Sequence, residues 1–315
     1  MKKLTRTETA AWLKEHDNFA ILTHTRPDGD TVGSAAGLCL GLRSLGKTAH
    51  VLRNPEVTPR YADIHRGFVK DHAEEGDTLV SVDVAADTML PEGFREYLGR
   101  IGLRIDHHGT ARSFTEAELV DPTMASCAEI VWDVLTEMGV VLDQETARGL
   151  YTGISTDTGC FRYVHNSHCF LAAAACTATG LDVFGINQRL HDTNTLSRLR
   201  LQGWIVEHTR LMAGGRLALC VLPRSVEQEL GVTEDDRENI GAFPRTIEGV
   251  CLAATLRETD EGEAKLSVRS IPGYDSAAVC ARFGGGGHAG AAGANTHLPL
   301  QEAAQAVEKI LTEMA

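Results

Sequence analysis

The stretch ILTHTRPDGDTVGS, residues 21–34, decides how the first part of this chain folds. Its apolar start belongs to NFAILTHT (18–25), a short run that ends in polar residues, as a buried strand does. The following TVGSAAGLCLGLRSLG (31–46) has a helical composition and stops at a glycine. The turn between strand and helix carries three polar side chains: His24, Asp28 and Asp30.

Further apolar runs follow this first strand, and helical or loop stretches separate them from one another. They are TAHVLR (48–53), TLVSVDVA (78–85) and IGLRIDHH (101–108). This alternation predicts an α/β fold whose mainly parallel sheet has helices on both faces.

Two helices in the middle of the chain are predicted from their first residues. Ser126 and Glu129 match a capping box for a helix that runs through Met138. Asp143 and Thr146 mark the start of the next helix, which runs towards Thr156.

The sequence changes to a strand-rich pattern after about residue 210. Candidate strands are LALCVLP (217–223), VCLAATLR (250–257) and AKLSVRS (264–270). They predict a second, smaller α/β domain over 213–315, after a first domain over 1–190. The connecting residues 191–212 are expected to form a linker helix.

Composition limits the partners of this chain. Its 315 residues include 30 basic and 43 acidic side chains, and the formal net charge is −13. Proteins that bind long nucleic acid gain affinity by neutralising phosphates with Lys and Arg. Duplex nucleic acid is therefore not an expected partner, whereas a small phosphorylated ligand in a local pocket is compatible with this charge.

The sequence indicates a cytoplasmic protein without membrane contact. Its first residues are highly charged, and it contains no run of 18 or more apolar residues, so neither a signal peptide nor a membrane span is expected. Eight cysteines occur without a CxxC pair, which argues against a zinc ribbon or a disulfide framework.

Acidic and imidazole side chains gather where the predicted strands end, and ligands of open α/β sheets bind at the carboxyl ends of strands. A lone Asp in such a place is usually a helix cap or part of a solvated turn. Several such clusters in one domain would carry a heavy desolvation penalty unless cations compensate. The residues concerned are His24, Asp28, Asp30, Asp83, Asp106, His107 and His108.

The turn HTRPDGD suits a site for two metal ions. Pro27 stiffens it and Gly29 allows a tight bend, so that Asp28 and Asp30 are expected to face different ions. Oxygen-rich ligation with few imidazoles and no thiolate favours Mn²⁺, with Mg²⁺ or Co²⁺ as alternatives.

The order of these motifs resembles that of the DHH phosphoesterase superfamily. THTRPDGDTVGS, the strand-end Asp83, DHH at 106–108 and STDTGCFRY around Asp157 are similar to its amino-terminal domain. VRS (268–270) and FGGGGHAGAAG (283–293) are similar to its DHH-associated domain. Together they span nearly the whole chain, and the subfamily they resemble is the bacterial nanoRNase and pAp phosphatase group.

The resemblance implies a ligand set for each of two ions. The first set is His24, Asp28 and Asp83, and the second is Asp30, His107, Asp157 and the shared Asp83. Asp157 is assigned by the resemblance alone, because it lies in a helical stretch. Four carboxylates then balance two divalent cations and leave a bridging hydroxide as the nucleophile.

The resemblance also implies catalytic and substrate contacts. Asp106 is expected to orient an imidazole, and His108 to contact the scissile phosphate or its leaving oxygen. The expected substrate contacts are Arg162, Arg269, Gly284, Gly285, Gly286, Gly287 and His288. Consecutive glycines can expose backbone N–H groups to a phosphate, but the four glycines could instead form a flexible loop. For Arg162, the alternative to a phosphate contact is an exposed salt bridge.

The implied activity is hydrolysis of short oligoribonucleotides to 5′-mononucleotides and of 3′-phosphoadenosine 5′-phosphate (pAp) to AMP. A phosphodiesterase for cyclic di-AMP or its linear product pApA is the alternative. A family II pyrophosphatase shares the amino-terminal motifs, but its second domain has a basic Ser-Arg-Lys-Lys segment in place of GGGGH, and nothing like that segment occurs in this chain. A non-enzymatic nucleotide sensor would have lost metal ligands, whereas all expected positions are filled here. A homodimer is implied by the resemblance alone.

Overall fold

The computed structural model describes residues 1–109, 112–164 and 166–314. The chain divides into two compact units, Met1–Thr193 and Asn194–Ala315. Within the described residues, the first unit contains a seven-stranded sheet and the second a six-stranded sheet. The mixed α/β fold class predicted from the sequence is confirmed.

The first unit is built on a sheet in which every pairing is parallel. Its strands are β1 (Lys2–Lys3), β2 (Phe19–Leu22), β3 (Ala49–Leu52), β4 (Val69–Lys70), β5 (Thr78–Val82), β6 (Ile101–Asp106) and β7 (Ala117–Val120). Their order across the sheet is β1-β7-β6-β5-β2-β3-β4. The chain therefore runs outward from β2 to β4, returns to β5 beside β2, and continues in the other direction. Such a switch point is where open α/β sheets bind ligands.

Both faces of this sheet carry helices, as predicted, but the α-helices all lie on one face and short 3-10 helices on the other. The α-helices are α1 (Arg6–Glu15), α2 (Gly29–Ser44), α3 (Cys127–Met138), α4 (Gln144–Asp157), α5 (His168–Thr177) and α6 (Val183–Asn187), and a π-helical turn follows at Gln188–Asp192. Leu38 and Val131 from these helices pack with Ile21 and Val80 of the sheet in one buried core. The other face packs against residues 84–101, whose helices are short 3-10 segments.

Both predicted helix starts are observed, but one capping box is incomplete. Asp143 Oδ1 accepts the Thr146 N–H at 2.8 Å, and Ser126 Oγ accepts the Glu129 N–H at 3.3 Å. The Glu129 carboxylate, however, accepts the N–H of Ala125 rather than that of the capping serine. The capping-box prediction is therefore wrong for the Glu129 side chain, which is used elsewhere.

Helices α2 and α4 lie unusually close together because glycines recur every fourth residue along α2. A Cβ at Gly33 would lie 2.3 Å from the carbonyl oxygen of Gly149, and one at Gly37 would lie 2.5 Å from Leu150 Cδ2. A Cβ at Gly29 would lie 2.4 Å from Oγ1 of Thr156. This close contact brings the carboxyl end of α4 beside the turn that follows β2.

The second unit is built on a mixed sheet. Its strands are β8 (Arg210–Met212), β9 (Leu217–Leu222), β10 (Leu252–Glu258), β11 (Glu263–Ser270), β12 (Gly286–His288) and β13 (Ala291–Pro299), in the order β12-β13-β11-β10-β9-β8. Strands β9 and β10 pair in parallel, and the other neighbours are antiparallel.

The helices of the second unit pack on its sheet or on one another. They are α7 (Leu196–His208), α8 (Arg224–Leu230), α9 (Glu234–Arg237), α10 (Ser276–Ala281) and α11 (Leu300–Glu313). Helix α7, in the segment predicted as a linker, packs through Leu201 and Ile205 against Cys220 and Leu222 of β9. Across the described residues of both units, no helix combines the length and apolar character needed to cross a membrane.

Candidate metal centre

Asp83 lies in the middle of a polar cluster at the carboxyl ends of β2, β5 and β6. It follows β5 directly, its φ is +58°, and its backbone N–H donates to the carbonyl oxygen of Ile105 at 2.9 Å. Only 2% of the residue is exposed. A left-handed non-glycine residue costs about 1–3 kcal/mol and persists only where its surroundings hold it, so the site stabilises this conformation.

The two oxygens of the Asp83 carboxylate face different imidazoles. Oδ2 lies 3.4 Å from Nε2 of His24, and Oδ1 lies 3.5 Å from Nε2 of His107. In the described part of the chain, Oδ1 accepts no hydrogen bond. A buried carboxylate oxygen without a donor is costly, and a carboxylate placed in this way suits a ligand shared by two cations.

His24 presents one ring nitrogen to the cluster. Its Nδ1 lies 2.8 Å from the carbonyl oxygen of Thr25, which leaves Nε2 directed at the carboxylates of Asp28 and Asp83. Burial opposes the charged imidazole, but these two carboxylates outweigh it and raise the pKa of His24 well above its usual value.

Asp30 is held by the first turn of α3. Its Oδ2 accepts the N–H of Cys127 at 2.6 Å, and its Oδ1 accepts the N–H of Ala128 at 3.0 Å. The hydroxyl of Ser34 also donates to Oδ1, at 3.2 Å. Burial and the neighbouring charge of Asp28 nevertheless raise the pKa of Asp30 to about 7.

His107 and Asp157 meet on the side of Asp83 opposite His24. His107 donates from Nδ1 to the carbonyl oxygen of Met124 at 3.3 Å, so its Nε2 faces the cluster. Nε2 lies 3.4 Å from Oδ2 of Asp157, the last residue of α4. Burial and the surrounding carboxylates, first among them Asp30, raise the pKa of Asp157 well above its usual value.

The structure brings together the residues of the first predicted ligand set, and three of the four residues of the second set without the shared Asp83. Groups whose ligand atoms all lie within 4.8 Å of one another are His24, Asp28 and Asp83; Asp30, His107 and Asp157; and Asp83, His107 and His108. Burial, followed by the charge of Asp30, raises the pKa of Asp83 to about 6. The raised pKa values of Asp30, Asp83 and Asp157 indicate that these carboxylates lack enough positive charge from the protein, and such an oxygen-rich group fits divalent cations.

Asp106 orients His108. Its Oδ1 lies 2.8 Å from Nδ1 of His108 and accepts the backbone N–H groups of both His107 and His108. Burial opposes the charged form of His108, but the bond to Asp106 raises its pKa to about 9. In the metal-free protein, Asp106 therefore favours the charged form of the ring, and the side chain is 24% exposed at the edge of the cluster.

The four-glycine segment of the second unit is largely explained by its own backbone contacts. A Cβ at Gly285 would lie 2.3 Å from the carbonyl oxygen of Gly293, and one at Gly287 would lie 2.6 Å from that of Ala291. Its last two glycines, Gly286 and Gly287, belong to strand β12 and pair with β13, so the segment is not simply a flexible loop. Gly284 and Gly286 have no atom within 4 Å of an added Cβ, which leaves space at these two positions.

Arg269 and His288 stand in one row across three strands. Arg269 of β11 is opposite Ala291 of β13, and His288 of β12 is opposite the same alanine. Residues opposite one another share a face of the sheet, so the guanidinium of Arg269 and the imidazole of His288 flank a small residue on one face. Arg162, in the first unit, donates from Nε to the carbonyl oxygen of Gly159 at 2.6 Å.

Sequence reasoning missed the backbone groups that hold the cluster. The carbonyl oxygen of Met124 and the N–H groups of Cys127 and Ala128 are such groups, and any residue type supplies them. It also missed Thr31, whose hydroxyl donates to the carbonyl oxygen of Val82 at 3.1 Å and so ties α2 to β5. The threonine in DGDTVGS was the available signal for that contact.

Comparisons with known proteins agree with this architecture. The DHH family, N-terminal domain, matches residues 18–154, and the DHHA1 domain matches residues 223–314. The bifunctional oligoribonuclease and PAP phosphatase NrnA of Thermus thermophilus is 34% identical over 92% of this chain and 87% of its own length. A probable enzyme of the same description from Streptococcus mutans is 28% identical over 91% of this chain and 92% of its own length.

A solved structure agrees as well. An exopolyphosphatase-related protein from Bacteroides fragilis superposes with a TM-score of 0.85 and 27% identity, and covers 98% of this chain and 95% of that one. The resemblance drawn from the motifs is thus confirmed by matched domains in both units and by a relative that is 34% identical over nearly the full length. The chain belongs to the DHH family.

Proposed function

We propose that this chain is a metal-dependent phosphoesterase that hydrolyses short oligoribonucleotides to 5′-mononucleotides and pAp to AMP. The observation that carries the proposal is the carboxylate of Asp83, whose two oxygens face His24 and His107 from separate ligand groups. The substrate class is supported by the relatives from Thermus thermophilus and Streptococcus mutans, which are described as oligoribonucleases and PAP phosphatases.

Two divalent cations are the proposed cofactors, with Mn²⁺ preferred and Mg²⁺ or Co²⁺ as alternatives. His24 and Asp28 would hold one ion, Asp30, His107 and Asp157 the other, and Asp83 both. Such ions supply Lewis acidity and lower the pKa of bound water. The protein fixes the orientation of these ligands, because backbone hydrogen bonds hold Asp30 and the imidazoles of His24 and His107.

His108 is the proposed catalytic group that contacts the substrate. The Asp106 carboxylate holds its Nδ1, and its charged ring stands at the edge of the cluster. An imidazolium there can donate a hydrogen bond to an anionic phosphate oxygen, or a proton to the oxygen that leaves phosphorus. Asp106 is accordingly a positioning residue, since it acts through His108.

The second unit is the proposed substrate-binding part, over 213–315, with the metal-binding domain over 1–190 and a linker over 191–212. Arg269, His288 and the glycines 284–287 are the proposed contacts with a non-reacting phosphate or ribose. The row of Arg269 and His288 supports this assignment, as does the open space at Gly284 and Gly286. Arg162 is the proposed phosphate contact in the first unit.

The cellular setting of the enzyme is also a proposal. All eight cysteines are free in the structure, which suits the reducing cytoplasm. A homodimer is proposed on the family resemblance alone.

Turnover of four substrates, measured side by side, tests the proposed function. The substrates are pAp, a three-residue oligoribonucleotide, pApA and cyclic di-AMP, each with Mn²⁺ and again after chelation. We expect release of AMP from pAp and of 5′-mononucleotides from the RNA, both lost on chelation. Exclusive cleavage of cyclic di-AMP would establish the alternative phosphodiesterase, and absence of turnover with bound metal would favour a sensor.

A further inference from the structure

The residues 121–128 form a support segment for the candidate metal centre. Through its backbone, this support segment accepts a hydrogen bond from Nδ1 of His107 at the carbonyl oxygen of Met124. It donates two more to Asp30, from the N–H groups of Cys127 and Ala128. His107 and Asp30 are proposed ligands of the same ion, so the position of the support segment sets the direction of both.

The carboxylate of Glu129 fixes the support segment from the other side. This side chain is fully buried, and its Oε1 accepts the N–H of Ala125 at 3.0 Å. Ala125 directly follows Met124, whose carbonyl oxygen holds His107. The other carboxylate oxygen, Oε2, lies 2.9 Å from Nδ1 of His168 in α5. The mechanism proposed above makes no use of this buried acid.

His168 links Glu129 to a second carboxylate. Its Nε2 lies 3.0 Å from Oδ1 of Asp133, so each of its two ring nitrogens faces a carboxylate oxygen. Asp133 also pairs with Arg6, which donates to Oδ2 of Asp121 at 2.8 Å. The network therefore begins and ends on residues that border or belong to the support segment.

We propose that Glu129 and His168 are positioning residues that set the affinity of the second metal ion, the one assigned to Asp30, His107 and Asp157. The inference rests on the proposed two-metal function. Glu129 acts by holding the N–H of Ala125, and His168 acts by holding Glu129. Among the contacts of the described residues, neither side chain touches His24 or Asp28, so these two residues should bind the first ion with unchanged affinity.

Calorimetric titration of the metal-free, full-length protein with Mn²⁺ tests this proposal. Glu129→Met removes the acceptor for Ala125 at similar volume, and we expect one of two ions to bind about 10- to 100-fold more weakly, as when outer hydrogen bonds to metal ligands are lost. The other ion should keep its affinity. Glu129→Gln retains an acceptor oxygen for the Ala125 N–H and should restore most of the loss.

Glu227→Met is the matched control, because Glu227 is a buried, ion-paired acid of the second unit, 3.2 Å from Arg237. It should lower the melting temperature and leave both Mn²⁺ affinities unchanged. If Glu129→Met does not fold, His168→Gln tests the positioning role instead, because one amide nitrogen cannot reach both carboxylates as the two ring nitrogens do. That variant should also weaken one ion selectively.

The outcomes separate the inference from the proposed function. A wild-type protein that fails to bind two Mn²⁺ ions contradicts the proposed function itself. If the wild type binds two ions, then equal weakening of both by Glu129→Met, or no weakening, overturns the positioning role. The role is equally overturned if Glu129→Gln is as defective as Glu129→Met.

Discussion

Gly33 of α2 lies so close to Gly149 of α4 that a Cβ at Gly33 would stand 2.3 Å from the carbonyl oxygen of Gly149. It would also stand 2.7 Å from the backbone nitrogen of Gly153. Backbone atoms cannot rotate away as a flexible side chain can, so the two helices must separate to admit a methyl group. Helix α4 ends at Asp157, a proposed ligand, and stability and metal binding are therefore linked at this contact.

Gly33→Ala should thus lower both stability and metal affinity. Overpacking of this kind costs about 1–3 kcal/mol, and displacement of α4 should weaken Mn²⁺ binding at the ion assigned to Asp157. Denaturant unfolding and Mn²⁺ titration measure the two effects. Gly203→Ala is the control, because Gly203 lies within α7 with no atom near an added Cβ. That change should stabilise the protein by about 0.5–1 kcal/mol. If both variants have the same stability and Mn²⁺ affinity, the contact between α2 and α4 does not control metal binding.

Asp83→Ala should abolish Mn²⁺-dependent turnover while the protein stays folded. The change removes the carboxylate shared by both proposed ligand sets, so we expect turnover to fall by more than about 100-fold. This is a larger effect than the loss of a hydrogen bond to a metal ligand usually has. Circular dichroism checks the fold and pAp hydrolysis checks the activity. Asp87→Ala, at an exposed acid four residues later, should retain activity. Retained activity in Asp83→Ala would contradict the shared-ligand role.

Mn²⁺ affinity should rise with pH between about 5.5 and 8. The pKa of Asp83 is raised to about 6 and that of Asp30 to about 7, so metal must displace protons from these groups at lower pH. In the metal-free protein, these raised pKa values stabilise the folded state below the ordinary Asp pKa of about 3.9, and this stabilisation is lost as pH rises through about 6 to 7. Mn²⁺ should therefore raise the melting temperature more at pH 8 than at pH 6. A stabilisation that does not depend on pH would exclude this proton linkage.

His288→Ala should weaken substrate binding more than it slows the chemical step. His288 stands in a row with Arg269 on the sheet of the second unit, and the proposed metal ligands all belong to the first unit. We expect KM for pAp and short RNA to rise about tenfold, equivalent to about 1.4 kcal/mol, with Mn²⁺ binding unchanged. His297→Ala, at an exposed histidine of the same sheet, should leave KM unaltered. Unaltered affinity in His288→Ala would rule out the proposed contact.

Local patterns in the sequence were sufficient to predict the central part of the site. The apolar runs before His24, Asp83 and Asp106 form adjacent parallel strands, β2, β5 and β6, whose carboxyl ends meet at the switch point. Strand formation depends on residues that are neighbours in the chain, and parallel strands bring their carboxyl ends to one edge. The side chains that follow these strands can therefore be grouped from the sequence alone.

Contacts between distant segments decided the rest. Asp157 reaches the cluster because glycines in α2 allow α4 to approach, and neither helix alone indicates that contact. Glu129 matched a capping box, yet its carboxylate binds Ala125 and His168. Substrate contact alone accounts for the four glycines in the sequence, whereas the close approach of β13 requires glycine at 285 and 287. Packing distances and hydrogen bonds to the backbone depend on how elements meet in space, and a linear pattern of residue types does not contain that information.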